Sequence, residues 1–121
     1  MLAILLGGAL ACGSDGGPPS EFLVAVGEET FVMRTTRPEV ARLAHERFLG
    51  RNGRFPIGPL LPGDGGFNAP WSWRLDPDRV EMTEAAIEVC DGTPSYVEAH
   101  RADFEVVGYC PWGATVVAVR P

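Results

Sequence analysis

The residues with which this chain could do chemistry are three cysteines, two histidines and a scatter of carboxylates. Cys90 and Cys110 bracket one supersecondary unit: an apolar strand ending at Cys90, an Asp91-Gly92 turn, a short helix, and a return to Cys110-Pro111-Trp112. Two cysteines placed in this way suit a covalent clasp, and in an exported protein they would be oxidised to each other. Closing a loop of about 20 residues contributes about 3 kcal/mol in the chain-entropy account, a large share for a domain of about 100 residues. Two other readings use the same atoms. Cys90, Cys110, His100 and Asp91 could be drawn round a metal ion, although no CxxC pair and no HxxxH spacing supports one. Alternatively, both thiols stay free. The preferred reading is the disulfide, with no metal and no cofactor.

Enzyme signatures do not appear. The chain has no GxSxG elbow, no glycine-rich phosphate loop and no HExxH. His45 and His100 both fall in helix-like context, so no general acid/base pair can be nominated and no catalytic residue is assigned. Asp76, Asp78 and Glu81 look like fragments of a calcium loop, but the glycine and terminal glutamate of an EF-hand are missing. Asp76, Glu88 and Asp91 remain the set that a carboxylate-dependent hydrolase or transferase would use.

The third cysteine has a different setting. Residues 1–11, MLAILLGGALA, are apolar and uncharged but far short of the roughly 20 residues that span a bilayer. An apolar run followed by small residues and a cysteine reads as an export signal. Ala9-Leu10-Ala11-Cys12 resembles the bacterial lipobox, in which the chain is cut before the cysteine and that cysteine carries the lipid. It departs from the pattern in Ala9, Leu10 and the lack of a basic segment ahead of the run. The competing reading makes the apolar run a buried strand or helix and Cys12 an ordinary thiol. Residues 12–20 then read as a lipidated cysteine and a Gly/Ser/Pro linker, and residues 21–121 as one domain. These features place the protein in the bacterial cell envelope, lipid-anchored and facing outside the cytoplasm. Net charge is −6, from 16 acidic residues against 10 basic ones, all of them arginine. That balance argues against nucleic acid and against an anionic membrane surface, so the membrane is touched through the anchor only.

The elements that must position these residues form an α+β domain: a small antiparallel sheet, one longer helix over about 38–49 and one short helix over about 94–102. Residues 21–26 and 30–35 alternate as a β-hairpin. Thr36, Pro38 and Glu39 predict a capping box, and Val40, Leu43, Ala44 and Phe48 make an apolar stripe closed by Gly50. Residues 55–61 read as an irregular edge strand, and residues 62–70 as a loop. Trp71 and Trp73 fall on one face of a strand, either as core anchors or as a partner-facing pair. From Val80 the alternation slips phase at Thr83-Glu84, and residues 85–90 resume as a strand with Glu88 opposite Ile87 and Val89. Thr93 caps the short helix, residues 104–109 are expected to be extended, and residues 114–119 form a final strand.

Asn68, Trp71-Ser72-Trp73-x-Leu75-Asp76-Pro77, the run 86–91, Tyr96-Val97-Glu98 and Cys110-Pro111-Trp112 occur in an order that resembles a known family. It comprises small secreted bacterial proteins labelled calmodulin-binding, similar to the N-terminal domain of a slime-mould cyclic-AMP-inducible prespore protein. The resemblance spans about residues 21–119. The family's name implies a partner rather than a reaction, and its characteristic positions fall here on Trp71, Asp76, Pro77, Glu88, Cys90, Asp91, Tyr96, Val97, Glu98, Cys110, Pro111 and Trp112. Arg74 stands where the family more often has a histidine, so nothing is carried over for that position. Calmodulin is itself acidic and its targets are usually basic amphipathic helices, so the net charge here opposes it as the partner.

The expected function is therefore an envelope-tethered, non-enzymatic binding domain for an unidentified protein or glycan, with inhibition of secreted proteases as one concrete form. Binding is expected through the 62–70 loop and the tryptophans near it, and the candidate surface comprises Asn68, Trp71, Trp73, Glu88, Asp91 and Trp112. A binding module predicts Glu88 hydrogen-bonded internally and exposed aromatic surface at a loop rim. The hydrolase or transferase alternative predicts two of Asp76, Glu88 and Asp91 converging in a cleft. A purely structural envelope lipoprotein predicts all three tryptophans buried.

Overall fold

The computed structural model describes residues 20–121. The expected signal over 1–11, the lipid-bearing Cys12 and the linker up to residue 19 lie outside the described residues. Strands β1 (Glu21–Val26) and β2 (Glu29–Arg34) form the expected hairpin, in register from Glu21↔Arg34 to Val26↔Glu29. Gly27 makes the turn at φ 63°, a left-handed conformation that suits glycine. Alternation sends Phe22, Val24, Val26, Phe31 and Met33 into the core. The last strand, β7 (Thr115–Arg120), pairs with the other edge of β1 and gives the order β2-β1-β7.

Where one sheet was expected, the described residues form three. Strands β3 (Phe55–Ile57) and β6 (Glu81–Thr83) form one antiparallel pair, and β4 (Leu60–Pro62) and β5 (Trp73–Leu75) form another. Pro59 separates β3 from β4, and a residue without an amide proton cannot continue a ladder. Each of these four strands is three residues long.

The helical part also differs from the expected pair. Among the described residues there are three α-helices: α1 (Pro38–Phe48), α2 (Pro94–Ala99) and α3 (Arg101–Val107). The capping box does not form at α1. Its N-cap is Arg37, Thr36 turns away to donate to Asp78 Oδ1 at 2.8 Å, and Glu39 pairs with Arg42. Thr35 Oγ1 accepts from the Arg37 amide instead, at 3.0 Å. Val40, Ala41 and Ala44 are buried, but Phe48 leaves the predicted stripe at 40 % exposure and stacks on His45. Gly50, at φ 76°, ends the element as predicted.

Residues 85–90 are not a strand. The ladder of β6 stops at Thr83↔Phe55, where β3 begins, so the chain beyond it has no partner. It runs out to a 3-10 turn, Glu88–Cys90, with Ile87 67 % and Val89 61 % exposed. Residues 104–109, expected to be extended, instead continue α3 to Val107. Phe104 on α3 and Val97 on α2 are both buried, one on each side of the break at His100. Gly108 then ends the helix, and Tyr109 bridges to Gly58.

The core centres on Phe31, Trp73 and Tyr109, whose ring centroids lie 5.4 to 5.5 Å apart in tilted and edge-on pairs. Asn68, at the end of the 62–70 loop, is 1 % exposed. Its Oδ1 accepts from the Val32 amide at 2.7 Å, and its Nδ2 donates to the Trp73 carbonyl at 2.8 Å, which ties β2 to β5 through one side chain. Loss of both bonds would leave two inward-facing backbone groups unpaired, each costing about 1–3 kcal/mol. Asn68→Ala should therefore destabilise the fold by about 2–5 kcal/mol in urea unfolding. A loss below about 0.5 kcal/mol for Asn68→Ala would refute this role.

Candidate binding site

The clasp forms: Cys90 and Cys110 are disulfide-bonded with their Cα atoms 5.0 Å apart, and the Cys110 amide donates to the Cys90 carbonyl at 2.6 Å. Both cysteines are buried. Asp91 is the second joint of this corner. Its Oδ1 accepts from the Gly92 amide at 2.9 Å and from the Trp112 amide at 2.8 Å, so one carboxylate oxygen holds both ends of the bracketed unit. Tyr109 donates its phenolic proton to the Gly92 carbonyl at 2.7 Å. Burial, helped by the negative charges of Asp91 and Glu29, pushes the Tyr109 phenol far above its ordinary range, so it remains a neutral donor.

Helix α2 starts from this corner. Thr93 Oγ1 accepts from the Tyr96 amide at 3.3 Å and Pro94 occupies the first turn, as the sequence predicts. Ser95 donates its amide and hydroxyl to Glu29 at 2.8 and 2.7 Å, which fixes the helix start against the β1–β2 hairpin. On the same helix, the Glu98 carboxylate accepts from the Ser72 amide at 2.9 Å and from its hydroxyl at 2.5 Å. Arg101 donates to Ser72 Oγ at 2.8 Å from the far side. The Ser72 hydroxyl first, then the Ser72 amide, lower the Glu98 pKa below its ordinary 4.5 against the opposing effect of burial, with the Arg101 charge adding to the lowering.

Between the 3-10 turn and the α2–α3 pair lies an open cleft of about 470 Å³, lined by Glu88, Val89, Asp91, Tyr96, His100 and Asp103 among others. The rings of Tyr96 and His100 stack at 4.0 Å and 22°, and His100 Nδ1 lies 2.9 Å from the Tyr96 carbonyl oxygen. A second groove, about 350 Å³, runs between Phe55, Ala85, Ala86 and Trp112. The largely exposed residues 84–89 are thus flanked by two concavities.

The structure separates the predicted surface residues. Trp73 is fully buried and Asn68 nearly so, which makes both part of the core rather than a surface. Trp71 is half-buried, stacked on Trp73, and donates its indole proton to the Thr30 carbonyl at 2.9 Å. Trp112 is 41 % exposed. The internal hydrogen bond expected of Glu88 is not formed with any described residue; Asp91 is the internally bonded carboxylate. Asp76 stays in its own turn, accepting from the Asp78 amide at 2.9 Å, whereas Glu88 and Asp91 share the cleft. Arg74 donates to the Pro62 and Gly63 carbonyls at 2.6 and 3.1 Å and closes the 62–70 loop. Among the described residues, no group of three or more His, Cys, Asp or Glu is placed to hold a metal ion.

Sequence reasoning missed Tyr96, His100 and Asp103 as neighbours of Glu88. The signal was the four-residue spacing of Tyr96, His100 and Phe104, which becomes one aromatic face once the helical path continues past residue 102.

The family model for the N-terminal domain of calmodulin-binding protein 74, the slime-mould prespore protein, matches residues 19–121. No curated protein and no solved structure matches the chain.

The lowered Glu98 pKa has a defined stability consequence. Its contribution is full above the ordinary carboxylate value of 4.5 and is lost as pH falls through the lower folded-state value. Glu98→Gln should cost about 1–2 kcal/mol at pH 7 in chemical unfolding, with the gap to the parent closing below pH 4.5. A gap that persists or widens in acid would contradict the assignment.

Proposed function

The chain belongs to the family of the calmodulin-binding protein 74 N-terminal domain, and from that premise we propose an envelope-tethered, non-enzymatic binding domain that engages a protein or glycan through its disulfide-clasped corner. The observation that carries this reading is the exposure of Ile87, Val89 and Trp112 around two buried, bonded cysteines. Apolar side chains left in water on a rigid support lose little conformational entropy when a partner covers them. Trp112 supplies the large, two-torsion aromatic surface favoured at such contacts. The 62–70 loop and Trp71, by contrast, spend their polar groups internally. The expected surface therefore moves from that loop to residues 84–92 and 112.

Inhibition of a secreted protease remains a concrete form of this function. Residues 84–87 would be the inserting segment, since they are unpaired and lie next to the clasp. Hydrolysis is less well supported: Glu88 and Asp91 share a cleft, but one oxygen of Asp91 is already bonded to two amides. The tether in this proposal is a lipid on Cys12, with the domain facing outside the cytoplasm of a bacterial cell.

Two measurements test the proposal. Intact mass of the protein from a membrane fraction should show an acylated Cys12 as the new N-terminus, whereas an unprocessed Met1 would sink the tether. A photo-crosslinking amino acid placed at position 87 or 112 in the producing cell should give discrete adducts that the same group at exposed position 79 does not. Equal labelling from all three positions, or none from 87 and 112, would remove the corner as the binding surface.

A further inference from the structure

We infer that the cleft between the 3-10 turn and α2–α3 receives an arginine side chain of the partner, an inference that rests on the binding reading above. Most carboxylates of the described chain are already engaged. Each meets an arginine, a hydroxyl or a backbone amide. Glu28, Glu88 and Asp103 have no such partner among the described residues; Glu28 stands exposed at the hairpin turn, whereas Glu88 and Asp103 both line this one cleft. Asp91 lines it as well, with Oδ1 bonded to amides. No arginine lines it. In a chain where surface arginines repeatedly pair with nearby acids, an unpaired acidic cleft is the place where a positive charge is missing.

The second element of the site is aromatic and independent of the carboxylates. The Tyr96 ring is 50 % exposed at the cleft and is held in place by stacking on His100 and by an edge contact with Phe104. A planar cation laid on a tyrosine face gains from the ring quadrupole as well as from nearby acids. A guanidinium is flat, weakly hydrated and able to fork its protons to a carboxylate while stacking, which an ammonium cannot do. The methylene stem of the same side chain would lie along Val89, which lines the cleft and leads to the exposed Ile87. The partner is thus a protein surface with an arginine beside an apolar patch, and the net charge of −6 favours its approach.

The test is an NMR titration of the isotope-labelled full chain with N-acetyl-L-argininamide. N-acetyl-L-citrullinamide serves as the neutral isostere and N-acetyl-L-lysinamide as the ammonium control. The arginine compound should give saturable shifts at Gly92, Thr93, Tyr96 and His100. The double variant Glu88→Gln/Asp103→Asn should weaken it about tenfold, the size that two half-exposed charge pairs together supply. Tyr96→Leu should weaken the arginine compound more than the lysine one. Unchanged spectra of the remaining residues would show that the variants fold. Equal response to citrulline, tighter binding of lysine, or indifference to the double variant would each overturn the inference. Cross-links at position 87 without an arginine response would overturn it while leaving the binding reading intact. An arginine response with no cross-links would do the reverse.

Discussion

The structure depends most on the corner where one disulfide and one carboxylate hold the same two chain segments. Cys90–Cys110 limits how far the ends can separate, and Asp91 sets their orientation by accepting from the amides of Gly92 and Trp112. A covalent link alone leaves torsional freedom; a hydrogen-bonded carboxylate one residue away removes much of it. The Tyr109 hydroxyl adds a third tie, from the aromatic core to the Gly92 carbonyl. The stiffness of the corner therefore comes from the core through Tyr109, and the largely exposed residues 84–89 inherit it although they belong to no sheet.

That dependence explains why parts of the fold were legible in the sequence and others were not. The β1–β2 hairpin was readable because Phe22, Val24, Phe31 and Met33 alternate cleanly about a glycine turn. The clasp was readable from cysteine placement, and the α2 start from Thr93-Pro94. The α1 cap failed because Thr36 had a better acceptor in Asp78, 42 positions away, which no local pattern reveals. Residues 85–90 alternate like a strand, yet alternation measures fitness for a half-buried surface and cannot supply a partner. Residues 104–107 carry two valines that favour strand, and the burial of Phe104 outweighed them.

Legibility of the candidate site divides along the same line. Trp112 and the cysteines stand out by residue type. Trp71 and Trp73 stand out equally, but type does not distinguish an anchor from a contact; the Phe31–Trp73–Tyr109 cluster decides that Trp73 is an anchor. Asn68 illustrates the opposite error. A polar residue at the end of a glycine-rich loop looks available for binding, and the fold uses both of its amide atoms to join β2 and β5.

The acidic character of the chain then acquires a structural meaning beyond a net charge. Where a carboxylate sits in the framework, as with Glu21, Glu29, Glu98 and Asp91, a nearby group satisfies it. Such groups add cohesion but present little unbalanced charge to a partner, because each is screened or neutralised where it stands. Glu88 and Asp103 differ in position rather than in kind. They lie where the 3-10 turn faces α3, next to apolar side chains that the fold also leaves uncovered. An uncovered apolar rim and uncompensated charge on one stiff corner draw on the same resource, since desolvation by a partner would strengthen both terms at once. Coincidence of the two on the disulfide-clasped segment, rather than either alone, is what singles out this face from the rest of the surface.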